Sequence, residues 1–231
     1  MKDNHRRSVC CIVGWHFPKA TFTASNFPLS LDVFVLSHAP INRVPKYVFD
    51  MVGAERILAR PNIGYDWGAY QQFIESIDID EYEYAFFMHD DVVINSSRIF
   101  SDASALLEKC EIVGLRSQGI HDWASVITPA MFAHMSNPPA VGCTRFPVVR
   151  GSFFATRPKV IKAVRPIQVF WDRFQIDIGY GNHSLVAFCS SVDSAFGHAA
   201  FAWLADHMDD VPMHEMVRGG NSTASAREQF D

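Results

Sequence analysis

The sequence is poor in several features that would place it in a familiar class. Nowhere do about 18 apolar residues run unbroken, so a helical membrane span is not expected. The opening segment, Met1 to Arg7, is polar and charged, and the apolar run behind it, Val9 to Val13, is far too short for a signal-peptide core. A soluble, cytoplasmic chain is the resulting expectation. The five cysteines, Cys10, Cys11, Cys110, Cys143 and Cys189, are odd in number and show no C-x-x-C spacing. Neither a disulfide framework nor a zinc knuckle follows from them, and buried free thiols are expected. Excess positive charge is also missing: the formal charge is −5 and the pI about 6.0. That argues against a protein that grips nucleic acid mainly by neutralising phosphates, although a local basic groove stays open. No internal repeat and no low-complexity tract is present.

What is there is a core. Across 231 residues, 48% are hydrophobic and 13% aromatic, enough for one sizeable α/β domain and too apolar for disorder. Ten histidines are more than a core normally takes up, which marks some of them as site residues.

The first half alternates short apolar strands with helical segments, the pattern of a βαβ sheet. Strands are expected at Ser8–Val13, Leu31–Ser37, Arg56–Ala59, Tyr84–Met88 and Ile112–Leu115. Helices are expected at Val44–Val52, at Trp67–Ile77 from the spacing of Trp67, Tyr70, Phe73, Ile74 and Ile77, and at Ser101–Lys109 with Ser101 as N-cap. The second half is less regular. Residues 119–149 read as loops, short helices and an edge strand, and Gly151–Ala155 as a strand. A helix starts at Thr156 with Pro158 in its first turn, where a missing N–H costs little. A long helix is expected over Asp193–Met208, followed by a tail from Asp209 to Asp231 that forms a mobile lid or a frayed end.

Two short segments carry the chemistry. In Tyr84 to Ile94, YAFFMHDDVVI, an apolar strand runs straight into His89-Asp90-Asp91. Two adjacent carboxylates cannot both be buried unpaired, so they sit at the rim of the sheet or hold a cation. Strand ends also form the ligand crevice of open α/β sheets. A hard divalent ion, Mg²⁺ or Mn²⁺, is the natural partner for such oxygens, and a solvated Asp pair is the plain alternative. Upstream, Asn62, Gly64, Asp66 and Gly68 alternate just before a helix. The glycines allow close backbone approach, Asn62 and Asp66 supply polar contacts to a base or ribose, and the helix start favours an anion. The plain alternative is a capped turn with Asp66 as N-cap and Gly64 as hinge.

At these two segments the sequence resembles the GT-A glycosyltransferases, especially the broad family 2, where a turn of the N-x-G-x-x-x-G type precedes a helix and the next strand ends in a D-x-D-like motif. The departure is His89, where Asp or Asn often stands. The resemblance implies an α/β, Rossmann-like single domain with a central mixed, mostly parallel sheet flanked by helices. It would span residues 1–208, with a nucleotide-sugar-binding half at 8–118, an acceptor-binding half at 119–208, and the tail at 209–231 as lid. It implies a nucleoside diphosphate sugar as donor, a UDP-sugar by preference, with Mn²⁺ or Mg²⁺ bridging the diphosphate. Asp91 is then the direct metal ligand, Asp90 a ligand or a ribose contact, and His214 the ligand that completes the site. Gly14, Trp15, His38, Asn62, Gly64, Asp66, Gly68, His89, Asp90, Gly151, Ser152 and Arg218 would line the donor. An inverting transfer needs a carboxylate to take the acceptor proton. Asp193 is the first candidate, alternatively a helix N-cap, and Asp122 the second; a retaining transfer needs neither.

Three functions compete. One is transfer to a glycan. Another is transfer to a hydroxymethylated base in DNA, for which Arg116, Arg145, Arg150, Arg157, Lys159, Lys162 and Arg165 would have to share a face with the pocket. The third is a non-catalytic nucleotide-sugar-binding module.

Overall fold

A computed structural model describes residues 7–62, 65–94, 96–115, 120–122, 145–147, 152–164, 199–204 and 214–216. Its centre is a seven-stranded sheet of order β10-β6-β9-β4-β1-β2-β3. The strands are β1 (Ser8–Gly14), β2 (Leu31–Ser37), β3 (Ile57–Ala59), β4 (Tyr84–His89), β6 (Cys110–Gly114), β9 (Phe153–Thr156) and β10 (Ala199–Trp203). Six run in one direction; β9 is antiparallel to both its neighbours, β4 and β6. Two small ribbons accompany the sheet: β5 (Val92–Ile94) with β11 (His214–Met216), and β7 (Ile120–Asp122) with β8 (Arg145–Pro147).

The mixed, mostly parallel sheet expected from the sequence is therefore present, and its composition explains it. Strands buried on both faces read as unbroken apolar runs. In β1 the residues Val9 to Val13 are all buried, and in β4 Tyr84 to Met88. Alternate residues then serve opposite faces. On one face Cys10, Ile12, Val33, Val35, Phe86 and Phe153 pack with Val48 and Val52 of α1 (Lys46–Val52) and Ile99 and Phe100 of α3 (Arg98–Leu107). On the other, Phe87 stacks on Phe154 with ring centroids 4.7 Å apart, and Trp67 of α2 (Tyr65–Ser76) stacks on Phe154 at 5.2 Å. Tyr70 and Phe73 of α2 meet Phe87 edge-on. The register that sets Phe87 opposite Phe154 is what makes this aromatic column continuous.

Four local expectations need correction. The α3 helix begins at Arg98, not Ser101, because Ile99 and Phe100 must already be helical to reach the core; Ser101 Oγ bonds to the Arg98 carbonyl inside the helix. The α2 helix begins at Tyr65, so Asp66 lies in its first turn. Residues 199–203, expected inside a long helix, form β10 and pair with β6. Without β10 the β6 strand would be an open edge, and pairing along it overrides the helix propensity of the alanines. The α4 helix (Pro158–Val164) begins at Pro158, not Thr156, because Thr156 is the last residue of β9, level with Ala85 and Ile112. In the tail expected from 209 onward as lid or frayed end, residues 214–216 form β11, and the rest lies outside the described residues. Cys10, Cys11 and Cys110 are buried free thiols, and burial pushes Cys10 and Cys11 far above the ordinary thiol range. Among the described residues no helix is long and apolar enough to cross a membrane.

Candidate active site

Four parallel strands end together along one edge of the sheet. Gly14 is level with Ser37, Ser37 with Ala59, and Val13 with His89. The segments that leave these strands are tied sideways: His38 N–H donates to the Gly14 carbonyl, Arg60 N–H to Ser37, and Asp90 N–H to Val13, each at 2.8 Å. Because β9 runs the other way, its amino end arrives at the same edge, and His89 N–H donates to the Ser152 carbonyl at 3.1 Å. Gly14, Trp15, His38, Asn62, Asp66, His89, Asp90, Asp91 and Ser152 thus gather at the carboxyl rim, where open α/β sheets take their ligands.

The two aspartates have different surroundings. Asp90 is buried, and its Oδ2 accepts the backbone N–H groups of Trp15, His16 and Phe17 at 2.9, 2.8 and 2.7 Å. Three successive amides on one oxygen form an anion nest, here filled by an internal carboxylate. Burial raises the Asp90 pKa and the amides pull against that rise. The loop pays for the nest with Phe17 at φ 48°, unusual for a residue with a side chain. Thr21 donates its hydroxyl to the Asp90 carbonyl at 2.6 Å, and Tyr47 donates its own to the Phe17 carbonyl. Of the two acids expected to share a metal, Asp90 has one oxygen committed to the β1 loop.

Asp91 is part-exposed, yet its Oδ1 is shielded from solvent and has no hydrogen-bond partner among the described residues. His89 stands between it and the start of α2: its Nε2 is 3.0 Å from Asp66 Oδ2 and its Nδ1 3.8 Å from Asp91 Oδ1, beyond hydrogen-bond reach. Burial lowers the His89 pKa, but the Asp66 hydrogen bond and the charges of Asp66, Asp91 and Asp90 outweigh it and leave it raised. An imidazole held between two acids takes the place of the Asp or Asn usual at this position. His38 behaves oppositely. Burial, with the nearby Arg60 cation, lowers its pKa to about 4, so it stays neutral. Asn62 is also buried.

Of the remaining expected residues, Gly68 is buried within α2, away from the turn that it was expected to line. Asp122 lies on β7 at the register position of Arg145. His214 lies on β11 opposite Ile94, three residues beyond Asp91, and Met216 opposite Val92. Gly64, Gly151, Asp193 and Arg218 lie outside the described residues. Among the described residues no group of three His, Cys, Asp or Glu is set to hold a metal unaided. Sequence reasoning missed Arg60, Thr21 and Tyr47. Arg60 stood beside the Asn62 turn as a legible signal; the long-range partners Thr21 and Tyr47 left none.

No protein-family model and no curated protein matches this chain. Solved structures do. Glucosyl-3-phosphoglycerate synthase of Mycobacterium tuberculosis, in complex with Mn²⁺ and UDP-glucose, aligns over 98% of this chain and 77% of its own at 12% identity and TM-score 0.54. The mannosyltransferase PcManGT of Pyrobaculum calidifontis, in complex with GDP-Man and Mn²⁺, aligns over 98% of this chain at 13% identity and TM-score 0.55. TarS of S. aureus, in complex with UDP-GlcNAc, aligns over 95% at 12% identity and TM-score 0.54. The chain spans 61% of the length of each of the last two. At these identities the likeness establishes the fold, which is GT-A.

Proposed function

We propose that this GT-A chain is a glycosyltransferase that moves a sugar from a nucleoside diphosphate to an acceptor hydroxyl, with Mn²⁺ or Mg²⁺ at Asp91. The observation that carries the reading is Asp91 Oδ1: a carboxylate oxygen at the end of β4, shielded from water and lacking a hydrogen-bond donor among the described residues. Such an oxygen fits a hard cation. Mg²⁺-type sites need only one or two carboxylates, the rest coming from substrate phosphates and water, so the lack of a three-ligand cluster among the described residues is compatible with it. His214, carried alongside β5 by β11, is assigned as a further ligand and Arg218 as the cation facing the diphosphate. When bound, the metal offsets charge developing on the leaving diphosphate.

The chain's own groups bind and orient. Trp15, His38 and Asn62 border the place for the nucleoside, with a UDP-sugar favoured. His89, held by Asp66 through Nε2 and facing Asp91 through Nδ1, keeps the two acids from repelling each other. Ser152 approaches from β9 on the sugar side. Asp193 and Asp122 are assigned as candidate bases for an inverting transfer.

The acceptor is best read as a sugar hydroxyl rather than a base in DNA. Arg157 pairs with Glu108 at 2.7 Å, and Lys162 pairs with Asp80. Both acids precede strand starts, at the edge opposite the site, so these two cations add nothing to the pocket; Arg116, Arg150 and Arg165 lie outside the described residues. The test incubates the protein with Mn²⁺, a nucleotide-sugar panel, and either glycans or hydroxymethylated DNA, and weighs the products. Asp91→Ala should lose Mn²⁺-dependent UDP affinity in calorimetry while keeping its fold; unchanged affinity refutes the metal assignment. Nucleotide binding without any transfer would instead identify a binding module.

A further inference from the structure

The two aspartates after β4 differ in more than burial. The hydrogen bonds of Asp90 among the described residues converge on one short loop. Its Oδ2 gathers the amides of Trp15, His16 and Phe17, its own N–H holds the end of β1 at Val13, and its carbonyl holds Thr21 at the far end of the same loop. Gly14 passes so close that a Cβ there would stand 1.8 Å from Asp90 Cγ. Tyr47 of α1 fixes the Phe17 carbonyl from outside, and the Phe17 ring packs edge-on against Phe22 at 5.8 Å. Left exposed by this arrangement are His16 and part of Trp15, next to the Gly14 carbonyl that receives His38 N–H.

Such a loop is fixed before any ligand arrives, and prior ordering is what raises affinity for a flat, rigid group. An indole offers one face for stacking on a nucleobase. Resting on the reading of the site as a nucleotide-sugar site, we propose that Asp90 is a positioning residue: it holds Trp15 and His16 as the nucleoside platform, and leaves metal binding to Asp91. Neighbouring carboxylates then act on separable halves of the donor, Asp90 on the nucleoside through the loop and Asp91 on the diphosphate through the cation.

The separation is measurable with UDP as probe, by calorimetry in EDTA and again with Mn²⁺, on the whole chain. Asp90→Asn keeps the size of the side chain and can turn its Oδ1 to the amides, but replaces three charge-assisted hydrogen bonds by neutral ones. It should weaken UDP binding about tenfold under both conditions, the loss of one or more charge-assisted hydrogen bonds. Asp91→Asn should leave binding in EDTA unchanged and remove the Mn²⁺ enhancement. Hydrogen exchange should show faster amides at residues 15–17 in Asp90→Asn, with Val9 to Val13 still protected. Tyr47→Phe, a milder change at the outer tie, should shift both readouts the same way by a smaller factor, and it stands in if Asp90→Asn does not fold. UDP affinity unchanged in Asp90→Asn or Tyr47→Phe despite faster loop exchange overturns the platform role. Unchanged loop exchange in Asp90→Asn overturns the clamp. If the wild-type protein binds UDP under neither condition, the glycosyltransferase reading fails and takes this inference with it, a result distinct from a loss confined to the variants.

Discussion

Replacing Gly14 by alanine tests the tightest contact at the rim. Only Gly53 among the described glycines has a positive φ, so Gly14 is required for room and not for its backbone angle. An alanine Cβ would lie 1.8 Å from Asp90 Cγ and 2.1 Å from Oδ2. Contact at that range forces something to move. A free carboxylate would swing aside at little cost, but this one is fastened by three amides. Displacing it breaks charge-assisted hydrogen bonds worth about 1.5–3 kcal/mol each, and strands buried N–H groups as well. Since such terms are not additive, the expected loss is about 3–5 kcal/mol, or roughly 10 °C in Tm for a domain of this size. Urea unfolding followed by far-UV circular dichroism measures it. The decisive control is Gly14→Ala combined with Asp90→Gly. With the carboxylate and the Asp90 Cβ, which would stand 2.3 Å from the new methyl, both gone, the methyl has space, so the double variant should be about as stable as Asp90→Gly alone. A Gly14→Ala protein within about 0.5 kcal/mol of wild type, or fully additive losses in the pair, would refute the clamp.

Two further outcomes follow from the histidines. Asp66→Asn removes the charge that opposes burial at His89 and leaves only a neutral hydrogen bond, so the His89 pKa should fall. The extra stability its raised pKa gives below about pH 6.5, lost as pH climbs through the folded value, should shrink accordingly; NMR titration of the imidazole reads the shift, and an unmoved pKa sinks the assignment. His38 is neutral in the fold with its pKa lowered to about 4, so its contribution holds above about pH 6.5 and fades as pH falls toward 4. Unfolding free energies across that window should slope less in His38→Gln, and an equal slope would contradict the burial argument.

Much of this molecule was legible in one sequence because its central strands are buried on both faces. Ser8 to Val13 and Tyr84 to Met88 have no competing reading once a helix period is absent, and they locate the rim where His89, Asp90 and Asp91 must emerge. What was not legible depends on distant partners. Residues 199–203 carry alanines that favour a helix, and only the unpaired edge of β6 makes them a strand. The committed role of Asp90 rests on amides more than 70 residues upstream, and no spacing within its own segment signals that. His89 was read as a departure from a pattern; its partnership with Asp66 joins the two motifs that were each recognised separately.

The reversed strand β9 has a consequence for how the chain is made. It lies between β4 and β6, yet it is synthesised after both. A nascent chain that has just finished β6 holds two unsatisfied edges of matching direction, joined by the helix α3. Their direct union as parallel neighbours is the most accessible wrong sheet, and loop closure favours it over waiting for a later segment. Two features discourage that error. With β9 in place Phe153 meets Phe86 and Phe100 at tilted angles and Phe154 stacks on Phe87, and the Thr156 hydroxyl reaches the Glu111 carbonyl at 2.8 Å across the strand border. The gap between β4 and β6 can close correctly only once β9 has been made, and the rim that Ser152 completes exists only from then on.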